Sequence, residues 1–403
     1  MRRTRAIWAI FVALASGYVA FASPEAAAKS VSAAPIEVAV IGPYTGGSAD
    51  MGISMRQGVE LATDEINRAG GVLGRRIHLV ERNDEAHNER GAHIARDVTN
   101  AHPVIAGIGI INTGVAMAAA PYFEQAKIPL IVSVATGANV VQEFAPPEYD
   151  HSYVFRFAMS TAIEAPAIVA EAVRRGYRRP AILSDTTSYG QVGRHDLTLA
   201  LKGRGLAPVS IEKFNIGDID MTAQLKRARM AGADVLLTYG IGPELAAVAR
   251  DRSAVGWDVP LMGSWTLSMA SFVTGAGPSG AGAMMPETFI DEALTPVQAR
   301  FVRAFAARFG PRFASPMSAA QGYDSMQVLA EAIRQAASID GSKIRAALED
   351  LRNPVIGVVK TYDHPFGPAN HEAIGSSDIV FGVVAHGRVV PAGPETARGK
   401  PAE

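Results

Sequence analysis

The residues best placed for chemistry are hydroxyls and aromatic rings at the ends of short apolar runs. Asn112-Thr113-Gly114 and Ala135-Thr136-Gly137 each follow a β-branched run, and the first leads directly into a segment of helical spacing. A threonine in such a place caps the coming helix or donates its hydroxyl to a ligand oxygen, and the two roles are compatible. Ser188-Tyr189-Gly190, Tyr239-Gly240-Ile241 and Gly263-Ser264-Trp265-Thr266 follow three further runs. Their rings suit a ligand-stacking wall, although any one of them taken singly reads as packing on a lobe surface. Gly42-Pro43-Tyr44-Thr45-Gly46-Gly47 opens toward a helix whose backbone N–H groups can meet an anion; it reads equally as a plain turn. Neutral donors beside aromatic faces are the chemistry of binding rather than of bond breaking.

Signals for catalysis are missing. The nine histidines show no H-x-x-x-H or H-E-x-x-H spacing. No G-x-S-x-G elbow and no G-x-x-x-x-G-K-[ST] loop occurs, and the Gly42–Gly47 turn after the first strand is not the G-x-G-x-x-G dinucleotide fingerprint. With no cysteine, disulfides, thiolate metal sites and cysteine nucleophiles are excluded. Acidic pairs such as Asp84-Glu85 and Glu349-Asp350 read as solvated faces or caps. The sequence therefore predicts no enzyme activity, no cofactor and no metal. A net charge of -1 gives no electrostatic footprint for nucleic acid, so none is expected as a partner.

The elements that must carry these loops alternate along the chain. Strands are predicted at Ile36–Ile41, Ile77–Val80, Val104–Ile108 and Leu130–Val132, with helices between them that carry Met55, Val59, Ala62 and Ile66, then Ile94 and Val98, then Val115–Gln125. A second series follows: helix Ile163–Arg175, strand Ala181–Leu183, helix Val192–Lys202, strand Val209–Phe214, helix Thr222–Met230, strand Val235–Tyr239 and helix Glu244–Val255. Alternating strands and helices build parallel sheets with ligand loops at the strand carboxyl ends. The fold class is α/β, with two Rossmann-like doubly wound lobes. Later, Met284–Phe289 reads as a crossover strand. Pro296–Phe309, Ala319–Ala337 and Lys343–Leu351 read as helices that complete the first lobe, and Val355–Lys360 and Val380–Val384 as late strands.

At the amino terminus Arg2, Arg3 and Arg5 precede a largely apolar run from Ala6 to Phe21 and then Ala20-Phe21-Ala22. A charged region, an apolar core and an A-x-A site make a secretory signal, which places the mature protein in the periplasm. The other reading is a membrane anchor, for which the run is short. The predicted organisation is a signal peptide over 1–22, one lobe from 36–157 and 283–357, a second from 158–282 and 358–391, and a frayed tail over 392–403.

These segments resemble the leucine/isoleucine/valine-binding family of type I periplasmic binding proteins. The match is most specific in IGPYTGGSADMGISMRQGVELATDEINRAGGVLGRRIHLVERNDE, Ile41 to Glu85; KIPLIVSVAT (Lys127 to Thr136), YVFR (Tyr153 to Arg156) and QGYDS (Gln321 to Ser325) add to it. The resemblance covers about 350 residues. It implies two lobes on a three-segment hinge, closing on a small carboxylate ligand that is passed to an ABC permease in the inner membrane, by a protein acting as a monomer. It implies that Thr113 and Thr136 hold the ligand carboxylate with backbone from Val134. Tyr189 would close over the ligand, and Met51 would form part of the wall.

One departure bears on the cargo. Amino-acid-binding members carry a glutamate two residues after the glycine of a strand-end M-G motif, and Trp265 occupies that position here. Either another carboxylate replaces it, with Asp185 and Glu244 nearest in sequence, or the ligand lacks an ammonium, which is the preferred reading. The remaining alternative is an ordinary branched-chain amino-acid binder that uses Trp265 as a cation–π face. Ligand-binding residues are thus expected at Met51, Thr113, Val134, Ala135, Thr136, Tyr189, Tyr239 and Trp265. Competing functions are a periplasmic sensory protein that presents ligand to a chemoreceptor or kinase, and an NAD-dependent dehydrogenase.

Overall fold

A computed structural model describes residues 34–100, 104–292 and 294–393. The expected signal peptide and residues 394–403 of the expected tail lie outside the described residues. The first sheet contains β1 (Ile36–Gly42), β2 (Ile77–Asn83), β3 (Ala106–Gly109), β4 (Leu130–Val132) and β5 (Val154–Arg156). All are parallel, in the order β2-β1-β3-β4-β5. The second sheet begins with β6 (Pro180–Asp185), β7 (Ser210–Phe214), β8 (Val235–Tyr239), β9 (Leu261–Gly263) and β10 (Met284–Glu287). A short antiparallel pair, β11 (Val355–Ile356) and β12 (Thr361–Tyr362), stands apart. Antiparallel strands β13 (Val380–Ala385) and β14 (Arg388–Pro391) then complete the second sheet in the order β14-β13-β10-β9-β8-β6-β7.

The local causes are plain in the sequence. Helices cover both faces of the first sheet, so β1 reads as the nearly unbroken apolar run IEVAVIG and is almost wholly buried. The helix Ala49–Arg68 buries Met51, Met55, Val59, Ala62 and Ile66 on one face and ends before Gly70 and Gly71, which take φ of +103° and +79°. It lies along the late helix Pro316–Ala336 at close range: a Cβ at Gly58 would overlap the Ala319 carbonyl, and one at Gly322 would overlap the Met55 carbonyl. The fold is therefore α/β with two doubly wound lobes, and the chain crosses between the sheets three times: after β5, after β10 and before β13.

Two segments sit elsewhere than their expected lobes. Residues 283–287 are expected in the first lobe, yet β10 pairs with β9 and β13 in the second sheet, so the crossing follows Glu287. The stretch from 358 is expected in the second lobe, but residues up to Ile374 pack on the first. Tyr362 donates its hydroxyl to Asp324 (3.0 Å), and Phe366 stacks edge-on against Phe155 and Phe157. His371 O accepts from Arg156 N, and Ala373 N donates to Arg156 O, both at 2.9 Å. The expected strand Val355–Lys360 shrinks to Val355–Ile356 because the chain turns back at Gly357 to pair with Thr361–Tyr362.

Arg156 ties the returning segment to the first lobe. It is fully buried, and its guanidinium binds both Glu372 oxygens, with Nε–Oε2 at 2.7 Å. Its Nη1 donates to the Gly137 carbonyl at 2.6 Å. One planar fork thus holds the crossing and the loop after β4 together.

Candidate functional site

The loops at the carboxyl ends of the two sheets face each other across a cleft. From the first lobe Met51, Ile111, Asn112, Thr113, Val134 and Thr136 line an inner pocket; from the second come Tyr189, Ile241, Trp265 and Thr266. The pocket has a volume of ≈ 20 Å³, space for about one water. It shares Asn112, Thr113 and Tyr189 with a wider outer mouth of ≈ 750 Å³, lined also by His87, Asn88 and Arg90. Cargo larger than water enters the inner pocket only as the walls part.

On the first wall the backbone turns sharply at the end of β3. Gly109 has φ +130°, where a Cβ would overlap the Ile41 carbonyl, and Ile110 has φ +54°. That turn delivers Asn112 to the N-cap of helix Thr113–Ala126. Asn112 makes no capping bond; its Nδ2 donates to Ser48 Oγ at 3.0 Å. Ser48 itself sits at the N-cap of helix Ala49–Arg68 and does not cap either. Each forgone cap costs about 1 kcal/mol, and both leave first-turn N–H groups open to an anion. Thr113 Oγ1 accepts from Gly137 N at 3.2 Å, which leaves its proton for another acceptor. The Thr136 hydroxyl is buried without a partner.

The second wall is aromatic. Tyr189, in the first turn of helix Ser188–Gly203, meets Tyr239 edge-on at 5.4 Å between centroids. The Tyr189 hydroxyl lies near Ser264 and Thr266 without a well-formed bond, and the Trp265 indole N–H is buried and unpartnered. Behind this wall lies Glu164, fully buried in the first turn of helix Thr161–Arg174. Its carboxyl accepts from the Trp265 backbone N–H and the Tyr239 hydroxyl, each at 2.8 Å. Burial pushes it up to about 7, against those two bonds, which lower it.

Of the expected site residues, Met51, Thr113, Val134, Thr136, Tyr189 and Trp265 come together in the pocket, and Ala135 and Tyr239 do not. Successive side chains of extended chain point to opposite sides, so Val134 and Thr136 face the cleft while Ala135 packs into the core of the first lobe. Tyr239 stands one layer back, held by Glu164. Asp185 and Glu244 do not line the pocket either. Asp185 is occupied by Thr187 N (2.9 Å) and Thr187 Oγ1 (2.5 Å), and Glu244 accepts from Gly217 N at 2.8 Å. The sequence reading missed Ile111, Asn112, Ile241, Thr266 and the supporting Glu164.

A family model described as "Periplasmic binding protein" matches residues 35–380. The chain belongs to that family. This binding protein is 24% identical over 335 residues to a leucine-, isoleucine-, valine-, threonine- and alanine-binding protein of Pseudomonas aeruginosa, covering 82% of this chain and 86% of the relative. Its structure resembles a type 1 periplasmic binding protein from Bordetella pertussis (TM-score 0.80, 26% identity, 89% of this chain and 100% of that one). It also resembles an ABC-transporter solute-binding protein from R. palustris in complex with 4-hydroxybenzoate (TM-score 0.76, 18% identity, 89% and 95% coverage). The binding protein is a solute-binding component of the kind that serves ABC transporters.

Proposed function

We propose that this binding protein captures a small organic acid without an ammonium group and delivers it to an ABC permease in the inner membrane. The observation that carries the reading is the makeup of the pocket. It presents the hydroxyls of Thr113, Thr136 and Tyr189 and the indole N–H of Trp265, and among the described residues no carboxylate lines it. A ligand carboxylate meets these donors beside two uncapped helix N-termini. An ammonium in the same dry space has no anionic partner, and a buried charge stripped of its partner costs about 3–5 kcal/mol. Glu164 does not relieve that cost, because Tyr239 and Trp265 stand in front of it. The R. palustris protein bound to 4-hydroxybenzoate supports an aromatic acid as one form of the cargo.

A second reading, a branched-chain amino-acid binder, is favoured by the Pseudomonas aeruginosa relative and by the indole face of Trp265. Calorimetric titration with leucine, 4-methyl-2-oxopentanoate, phenylalanine and phenylpyruvate separates the two. Heat from the oxo acids alone supports the first; tight binding of leucine or phenylalanine with no heat from the oxo acids overturns it. Export by the amino-terminal signal and action as a monomer belong to the same proposal. Amino-terminal sequencing of periplasmic protein is expected to begin near Ser23, and intact Met1 on cytosolic protein would overturn export.

A further inference from the structure

We infer that the cargo is a hydroxy acid: beside its carboxylate it carries a hydroxyl that donates a hydrogen bond to Asn112 Oδ1. This rests on the carboxylate reading above and narrows it. The partnerless polar atoms of the pocket fall into two kinds. Trp265 Nε1 is a donor only, and the hydroxyls of Thr136 and Tyr189 can donate; a carboxylate, which only accepts, satisfies all three. Asn112 Oδ1 is an acceptor only, it is buried, and it has no partner. No carboxylate oxygen can satisfy it, so a ligand that fills this site brings a proton donor as well.

The placement of Asn112 points the same way. Asparagine at an N-cap ordinarily turns its side-chain oxygen onto its own helix. Here the side chain is drawn away by the bond from Nδ2 to Ser48 Oγ at 3.0 Å, and in that orientation Oδ1 is left buried and unpartnered on a residue that lines the pocket. Two loops, after β1 and after β3, both give up their helix caps to hold that oxygen in place. The donor is a hydroxyl rather than an ammonium because Asn112 Oδ1 offers one neutral acceptor, which suffices for an O–H but leaves a buried cation uncompensated.

The test is calorimetric titration of the full chain with matched acids that differ by one hydroxyl. The pairs are 2-hydroxy-4-methylpentanoate with 4-methylpentanoate, 3-phenyllactate with 3-phenylpropanoate, and 3- and 4-hydroxybenzoate each with benzoate. The hydroxylated member of at least one pair is expected to bind on the order of tenfold or more tightly, because its partner leaves a buried acceptor unmet. In Asn112→Leu and Asn112→Ala, each checked for folding by thermal melt, the affinity ratio within that pair is expected to fall to about one. A ratio near one for every pair in the native protein overturns the inference, as does a ratio that survives in both variants. Absence of heat from every acid in the panel overturns the carboxylate reading itself, and the inference falls with it.

Discussion

The two walls of the cleft differ in where they keep their charge. The first lobe meets the pocket with hydroxyls, an amide and helix N-termini, and no titratable side chain of that lobe lines it. The second lobe has an acid within 2.8 Å of both of its key aromatic residues but holds it behind them. A displacement of one side-chain layer thus changes what the site can accept. Put in front of the rings, a carboxylate would pair with an ammonium. Sealed behind them, it orders the Tyr239 ring and the Trp265 backbone and leaves the pocket neutral. On the proposed reading, the first wall needs no formal positive charge to hold an anion, because oriented N–H groups and hydroxyls act at short range in a dry space.

The largest expected effect comes from moving the acid forward. Trp265→Glu places a carboxylate in the pocket facing the ligand's own and is expected to weaken binding of 4-methyl-2-oxopentanoate by about 100-fold or more while raising the affinity for leucine. Calorimetry on the variant checks both directions, and unchanged oxo-acid binding would mean that the two walls do not meet around the ligand.

Next comes Glu164→Gln, which removes the charge; its Oε1 can accept from the Trp265 N–H while its Nε2 donates to the Tyr239 hydroxyl, reversing that bond. In the folded protein Glu164 holds its proton up to about pH 7, whereas an ordinary glutamate loses it near 4.5. Its contribution to stability is therefore full below about pH 4.5, falls as pH rises to about 7, and is flat above that. The variant is expected to be more stable than the native protein by about 3 kcal/mol at pH 8 and nearly equal to it at pH 4. Asp84 and Asp185, raised to about 6, and Asp324, raised to about 7, titrate in an overlapping window, so the difference between paired urea titrations is the informative quantity.

Thr136→Val deletes one donor from the first wall. The loss of one hydrogen bond to a charged group, about 1.5–3 kcal/mol, is expected to cost roughly tenfold or more in acid affinity with little change in melting temperature. The smallest effect tests the second layer. Tyr239→Phe removes the hydroxyl that serves Glu164 and is expected to lower stability by about 1 kcal/mol while acid affinity stays within about twofold. A large loss of affinity would place Tyr239 in the pocket after all.

The alternation of β-branched runs and amphipathic segments made the two lobes legible, because buried parallel strands and half-buried helices leave different periodicities. Most loops of the site were legible for the same reason, since ligand loops follow strand ends. What the pattern does not carry is which way a loop residue points. Val134, Ala135 and Thr136 are equivalent by position, and only the backbone path sends Ala135 inward. Glu164 escaped notice because an acid in a first helical turn reads as a partner for the helix dipole, and nothing local reveals that an aromatic layer closes over it. One lobe boundary was illegible because β11 and β12 are two residues each, and the chain after them is placed by Asp324, Phe155 and Arg156, all distant in sequence.

The paired glycines Gly58 and Gly322 impose an order on how this chain reaches its final shape. The helix Ala49–Arg68 packs so tightly on Pro316–Ala336 that no other residue than glycine fits at Gly58 and Gly322, and residues 69–315 separate the two helices in the chain. Strands β6–β10 and their helices form one continuous stretch, to which β13 and β14 are added at one edge. The first lobe waits for residues near the opposite end, with Met55, Val59 and Ala62 left uncovered in the meantime. Long-range closure of this kind is slow and keeps apolar surface exposed to wrong partners. The amino-terminal lobe, although made first, becomes native only once residues 316–336 have arrived.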